Sequence, residues 1–147
     1  MDEKLKIALT ELFDQLSIEL SKNGSIPSTY FMIKEKTITK ISNVGLEYNM
    51  YSNFVKKFAE KENVDGLILI SERNVVSGGK NDNDMKSLIN KRIKSKDHPN
   101  VKPYLVLMYM SADGENQALF GEIEQDPSGN KFTKNHEWAA DITVSTI

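Results

Sequence analysis

The feature that most constrains the fold is the segment 64–72 (VDGLILISE), which holds four consecutive large aliphatic residues between polar flanks. A run this short, and continuous rather than alternating, indicates a β-strand covered on both faces. The segment 104–110 (YLVLMYM) has the same character. Two such runs in one chain are most economically placed side by side at the centre of one sheet.

Length and composition predict a single domain spanning residues 1–147. The chain is 39% hydrophobic and 27% charged, which is ordinary for a globular protein. No apolar run approaches the roughly 18 residues of a membrane span, and the first residues lack the pattern of a secretory signal. We therefore expect a cytoplasmic protein. Because the sequence has no cysteine, disulfides, thiolate nucleophiles and zinc–thiolate sites are excluded.

Charge is unevenly distributed along the chain although the net charge is only −2. The segment 86–102 has six Lys or Arg residues against Asp97 alone, and the segment 111–147 has seven carboxylates against two lysines. This pattern predicts one basic segment and an acidic C-terminal part.

Periodic apolar residues predict three helices. The first, 3–22, carries leucines and Phe13 at helical spacing and ends at Asn23-Gly24. The second, 50–62, is expected to bury Met50, Phe54, Val55 and Phe58. The third is a short basic helix, 86–96, which Pro99 brings to an end.

Alternating and continuous apolar runs predict the strands. The segments 29–34 and 37–41 form a hairpin, 118–125 returns antiparallel to 104–110, and 142–144 forms one last strand. Together these elements predict an α+β domain with a mostly antiparallel sheet. We expect the first two helices on one face of the sheet, which leaves the other face available for a partner.

Candidate catalytic groups are few. Glu122, Glu124 and Asp126 alternate and would project from one face, as a cation site or an acid–base pair requires; they equally suit the wet side of an edge strand. Glu72 lies near the end of the central strand, where Arg73 and His98 could join it in a crevice. Neither His98 nor His136 has a partner at metal-ligand spacing, so we predict no metal and no cofactor.

The basic segment offers a different kind of site. Lys91, Arg92, Lys94 and Lys96 are close in sequence and could contact phosphates, although no aromatic residue is interleaved to stack on bases. A solvated helix face is the alternative interpretation. The loop Ser77-Gly-Gly-Lys80 lacks the spacing of a P-loop and is expected to be a flexible connection.

The order of features resembles uncharacterised small proteins common in bacterial and phage genomes. The residues that carry the resemblance are Ser71-Glu72, the segment 95–100 (SKDHPN) before the strand 104–110, and Ile123 to Asp126 with Gly129. The chain departs from that pattern at Arg73-Asn74, where Ala-Trp is usual, and at Lys102-Pro103, where Arg-Glu is usual. The resemblance implies an α+β fold in a prokaryotic or phage setting and no particular activity.

The residues therefore favour a small non-enzymatic interaction protein that binds a protein partner. One such protein would be a phage accessory protein that inhibits a host defence system. The alternatives are nucleic-acid binding through the basic helix 86–96 and a hydrolase-like enzyme with a carboxylate and histidine site. A homodimer is expected through the uncovered sheet face or the first helix.

Overall fold

A computed structural model of the chain describes residues 1–76 and 101–140. The described residues form two helices, α1 (Glu3–Asn23) and α2 (Tyr48–Glu62), and six strands. The strands are β1 (Thr29–Lys34), β2 (Thr37–Ile41), β3 (Gly66–Val76), β4 (Val101–Ser111), β5 (Asn116–Gln125) and β6 (Lys131–Ala140). The α+β class is therefore confirmed.

The six strands form one antiparallel sheet in the order β2-β1-β3-β4-β5-β6. The two continuous apolar runs lie in β3 and β4, which pair along their whole length from Gly66↔Ser111 to Val76↔Val101. Their predicted place at the centre is confirmed. The β1–β2 hairpin is also confirmed, with Glu35 and Lys36 at its turn in the left-handed region.

Helix α1 begins and ends as its sequence predicts. The Asp2 carboxylate accepts the N–H of Lys4 at 2.6 Å, and Gly24 takes a left-handed conformation that lets its N–H reach the carbonyl of Leu20. One face of the helix is buried: Leu9, Phe13, Leu16 and Leu20. Each of these side chains contributes about 2 kcal/mol of hydrophobic stabilisation on burial.

The two helices pack on opposite faces of the sheet, so the expectation that both lie on one face is wrong. Phe31 and Ile68 belong to the core beneath α1, whereas Tyr30 and Leu69 belong to a second core with Val55 of α2. Successive side chains of a strand point to opposite faces, and both faces of β1 and β3 are apolar. A single helix layer would have left one of these faces without cover.

Helix α2 is rotated from the predicted orientation. Its buried residues are Tyr51, Ser52, Val55 and Ala59. Met50 and Phe54, which were expected in the core, are 57% and 51% exposed. The Tyr51 hydroxyl accepts the backbone N–H of Tyr30 and donates to the carbonyl of Ile41, so hydrogen bonds fix this residue against the sheet.

Strand β6 was not predicted, and it pairs with β5 from Gln125↔Lys131 to Gln117↔Ala140 with an irregularity between Phe120 and Glu122. The segment 118–125 is therefore antiparallel to β4 as expected, but it is not an edge strand. The predicted basic helix 86–96 and the strand 142–144 lie outside the described residues.

Candidate interaction surface

The proposed phosphate contacts Lys91, Arg92, Lys94 and Lys96 lie outside the described residues, as does His98. Nucleic-acid binding through these side chains therefore stays a prediction. The Ser77 to Lys80 loop also falls outside the described ranges.

Glu72 and Arg73 are adjacent in β3 and their side chains lie on opposite faces of the sheet. The Glu72 carboxylate accepts the backbone N–H of Ile26 at 3.1 Å and lies 3.5 Å from the Lys131 ammonium, on the α1 side. Arg73 donates to the hydroxyl of Ser71 at 2.9 Å, and its guanidinium lies 3.5 Å from the Tyr48 hydroxyl, on the α2 side. The two residues do not meet in one crevice.

The three alternating carboxylates are already engaged by neighbours. Glu122 lies 3.6 Å from Lys102, and Glu124 lies 3.5 Å from Lys134. Asp126 lies beyond the end of β5 and accepts the N–H of Asn130 at 2.9 Å, which closes a turn. Glu122 and Glu124 also project from the face opposite Glu72, since their strand neighbours Leu119 and Ile123 point to α1. These groups do not converge on a common reaction centre.

His136 lies on the α1 side of β6 and serves packing. Its Nε2 is 3.4 Å from Asp14 Oδ1, and its ring meets Phe13 edge-on with centroids 5.5 Å apart. Within residues 1–76 and 101–140, no group of three or more His, Asp or Glu side chains is arranged to hold a metal ion. Neither of the helices in those ranges is long and apolar enough to cross a membrane.

The described surface has one concentrated apolar stripe, on the outer face of α2. Met50, Phe54 and Phe58 are four residues apart and therefore follow one another along the helix. The rings of Phe54 and Phe58 stack with centroids 6.1 Å apart and an interplanar angle of 24°. Phe58 is half-buried and joins the stripe to the core beneath. We call Met50, Phe54 and Phe58 the α2 stripe.

Basic side chains continue the same face toward the C-terminal end of α2. Lys57 and Lys61 follow Met50 and Phe54 at seven-residue intervals, and both are exposed. At 3.6 residues per turn, seven residues return the helix to nearly the same direction. The outer face of α2 is therefore apolar in its first half and carries Lys57 and Lys61 in its second, with the exposed Glu60 beside them.

Sequence reasoning missed this surface because two stripes compete in α2. The stripe of Met50, Phe54 and Phe58 is more apolar than the stripe of Tyr51, Val55 and Ala59, so hydrophobicity favoured the wrong one. The signal that separates them is Tyr51, whose hydroxyl satisfies two buried backbone groups that a phenylalanine leaves unpaired.

A second exposed apolar pair lies on α1. Ile7 and Ile18 are 58% and 57% exposed, and the exposed residues Glu11 and Asp14 lie between them. Ile18 also lines an open cleft of about 480 Å³ with Phe132 of β6, which is 39% exposed. This acidic face of α1 and the basic face of α2 lie on opposite sides of the sheet.

Comparison with protein-family models, with curated proteins and with solved structures finds no match to this chain.

Proposed function

We propose that this chain is a non-enzymatic interaction protein that binds an acidic, amphipathic helical segment of a partner protein through the outer face of α2. The observation that carries the proposal is the exposure of Met50 and Phe54, at 57% and 51%, on a helix whose opposite side is firmly bound to the sheet. Large side chains of this kind, held in a fixed place at the surface, are what interface anchors require.

The anchors are pre-organised. Tyr51 and Val55 are fully buried and hold α2 against β1 and β3, and Tyr51 bonds the backbone of two strands. Stacking on Phe58 restricts the ring of Phe54. Ordering of this surface therefore takes little away from the binding free energy, since the helix and the aromatic pair are already in place.

Charge selects the partner. Lys57 and Lys61 place two positive charges beside the apolar half of the face, and the exposed Lys56 and Glu60 lie together to one side of them. An amphipathic helix with apolar residues at four-residue spacing and carboxylates beside them complements both halves. Such helix-on-helix contacts use few anchors and derive much of their specificity from charge at the rim.

The prokaryotic or phage setting is part of the proposal and is supported by the resemblance carried by Ser71-Glu72, the segment 95–100 and the segment 123–129. A phage accessory protein that inhibits a host defence system acts by occupying a partner's surface, as this function requires. The enzyme alternative lacks support in the described part of the chain, where the carboxylates are divided between two faces of the sheet.

The test is fluorescence anisotropy with a labelled synthetic peptide that forms an acidic amphipathic helix, with leucines four residues apart and glutamates beside them. A scrambled peptide of the same composition is the control ligand. We expect binding of the helical peptide only, weakened at least about tenfold by Phe54→Ser and by the Lys57→Glu, Lys61→Glu pair. Added salt should weaken binding to the wild-type protein.

Ile7→Ser is the matched control variant, because Ile7 is as exposed as Phe54 but lies on the other side of the sheet. It should bind the peptide as the wild type does. Equal binding of the helical and scrambled peptides, or equal loss in Ile7→Ser and Phe54→Ser, would contradict the proposal.

A further inference from the structure

We infer that the outer face of α2 docks onto the outer face of α1 of a second copy of this chain, so that the protein self-associates head to tail. The inference rests on the α2 surface of the proposed function but needs no foreign partner. The chain itself contains a segment with the required chemistry, because α1 presents isoleucines and carboxylates on one exposed face.

The α1 face is continuous along the helix. Ile7 and Ile18 are eleven residues apart, which is about three turns, so both point in nearly the same direction. Glu11 and Asp14 lie between them on the same side and are exposed, with Asp14 3.4 Å from His136 Nε2 of the same chain. The exposed Lys4 and Lys22 border the face near its two ends. The middle of this face is therefore acidic, whereas the corresponding part of α2 carries Lys57 and Lys61.

Ile18 provides an exposed apolar group at the C-terminal end of the α1 face. Ile18 lies in the open cleft beside the C-terminal half of α1. The other residues that line this cleft are mostly polar: Ser21, Lys22, Asp126, Asn130, Lys131 and Phe132. Met50 and Phe54 project from α2 and are the side chains that such a cleft could receive. The contact brings together exposed apolar groups that both copies otherwise leave in water.

The spacing of charges fits an antiparallel arrangement of the two helices. From the midpoint of Met50 and Phe54, Lys57 lies about 7.5 Å along the helix axis and Lys61 about 13.5 Å, at a rise of 1.5 Å per residue. From Ile18, Asp14 lies about 6 Å along α1 and Glu11 about 10.5 Å. With the apolar groups in contact, each carboxylate falls within about 3 Å of register with a lysine, a mismatch that long lysine side chains can span.

The placement of the two faces determines the symmetry. They lie on opposite sides of one sheet, so a second copy cannot contact both at once. Each contact therefore leaves one α1 face and one α2 face available for further copies, which gives a ring or an open chain. The two-fold homodimer expected from the sequence uses one self-complementary patch instead. The two arrangements give different results when a variant of the α1 face is mixed with a variant of the α2 face.

Sedimentation velocity at protein concentrations up to about 100 µM tests the inference, since a micromolar dissociation constant leaves mostly associated protein at that concentration. We expect the weight-average mass of the wild type to rise at least twofold above the 16.6 kDa of one chain. Phe54→Glu removes the α2 contact and Ile18→Lys removes the α1 contact, so each variant alone should sediment as a monomer. An equimolar mixture should form a one-to-one dimer, because the intact α1 face of the Phe54→Glu variant binds the intact α2 face of the Ile18→Lys variant.

A charge exchange provides a second measurement that does not depend on the apolar contacts. Lys61→Glu and Glu11→Lys should each weaken association severalfold when alone, and the two changes in one chain should restore it. Lys40→Glu on β2 makes the same charge change outside the outer faces of both helices and should leave association unchanged. Circular dichroism of each variant verifies that it is folded.

A wild type that stays monomeric at about 100 µM overturns the inference, as does a mixture that gains no mass over its separate components. A wild-type mass that stops at two chains, with no dimer from the mixture, identifies the two-fold arrangement instead. Peptide binding without self-association would refute this inference and leave the proposed function standing. Self-association without peptide binding would support this inference and contradict the proposed function.

Discussion

The hydroxyl of Tyr51 in α2 accepts the backbone N–H of Tyr30 in β1 at a distance of 2.8 Å. The same hydroxyl donates to the carbonyl of Ile41 in β2, and the hydroxyl of Tyr30 lies 2.9 Å from that of Ser52. These bonds join one helix to both strands of the first hairpin. They fix which side of α2 faces the sheet, and so they determine which side chains reach the surface.

Tyr51→Phe should destabilise the fold by about 1–3 kcal/mol, because it leaves a buried N–H and a buried carbonyl without a partner while keeping the ring. Urea denaturation measures the change. Tyr48→Phe is the control, since Tyr48 is 39% exposed and its hydroxyl lies 3.5 Å from the Arg73 guanidinium. Equal losses in the two variants would contradict the role assigned to the Tyr51 hydroxyl.

Alkaline pH should destabilise the protein through its buried tyrosines. Burial raises the pKa of Tyr30, Tyr51 and Tyr109 above the ordinary value of 10.0. The folded protein therefore favours the neutral hydroxyls. Their contribution to stability is fully present below about pH 10 and is lost as pH rises through the raised pKa values of the folded state.

Denaturation midpoints measured in steps from about pH 8 to pH 11.5 test this effect. Tyr51→Phe removes one of the linked groups, so its stability should decline less steeply than that of the wild type. Parallel decline of the two proteins would show that Tyr51 does not contribute.

Adjacent residues of α2 test its orientation. Phe54→Ser should cost about 0.5–1.5 kcal/mol, because Phe54 is half exposed and loses its stacking on Phe58, whereas Val55→Ala should cost about 1–3 kcal/mol because Val55 is fully buried. Both variants are compared by urea denaturation. If Phe54→Ser proves the more costly change, the helix is turned the other way and the α2 stripe is core.

Glu72 is expected to be structural. Glu72→Gln keeps an oxygen that can accept the N–H of Ile26 and should cost less than about 1 kcal/mol, whereas Glu72→Leu leaves that N–H unpaired and should cost about 1–3 kcal/mol. Thermal and urea unfolding of the two variants give the comparison. A glutamine variant as unstable as the leucine variant would mean that the charge beside Lys131 matters more than the hydrogen bond.

The centre of the sheet could be predicted because continuous apolar runs have few alternatives. The run 67–70 already indicated a strand covered on both faces, and the structure agrees with it rather than with the one-sided helix layer. Strand β6 escaped prediction because its sequence (KFTKNHEWAA) is mostly polar and lies at the border of the described sheet. Its attachment depends on distant partners, such as Thr10 for Trp138 and Ser17 for Thr133.

The surface on α2 could not be predicted from hydrophobicity, since the residues that define it resemble core residues. Exposure of Met50 and Phe54 follows from the bonds that Tyr51 makes to β1 and β2 and from the burial of Val55 against the sheet. Those bonds join Tyr51 to residues outside the helix, 10 and 21 positions earlier in the chain, and periodicity within the helix does not report them.

A sheet with a core on each face is exposed to a particular folding error. If β1 slipped by one residue against β3, its apolar residues would exchange faces, and hydrophobicity alone would penalise the error weakly. Tyr30 would then carry its hydroxyl into the core beneath α1, away from Ser52. Buried polar groups thus disfavour the wrong register of β1 during folding. Tyr30→Phe should therefore populate slow-folding, misregistered intermediates to a greater extent than its loss of stability alone accounts for.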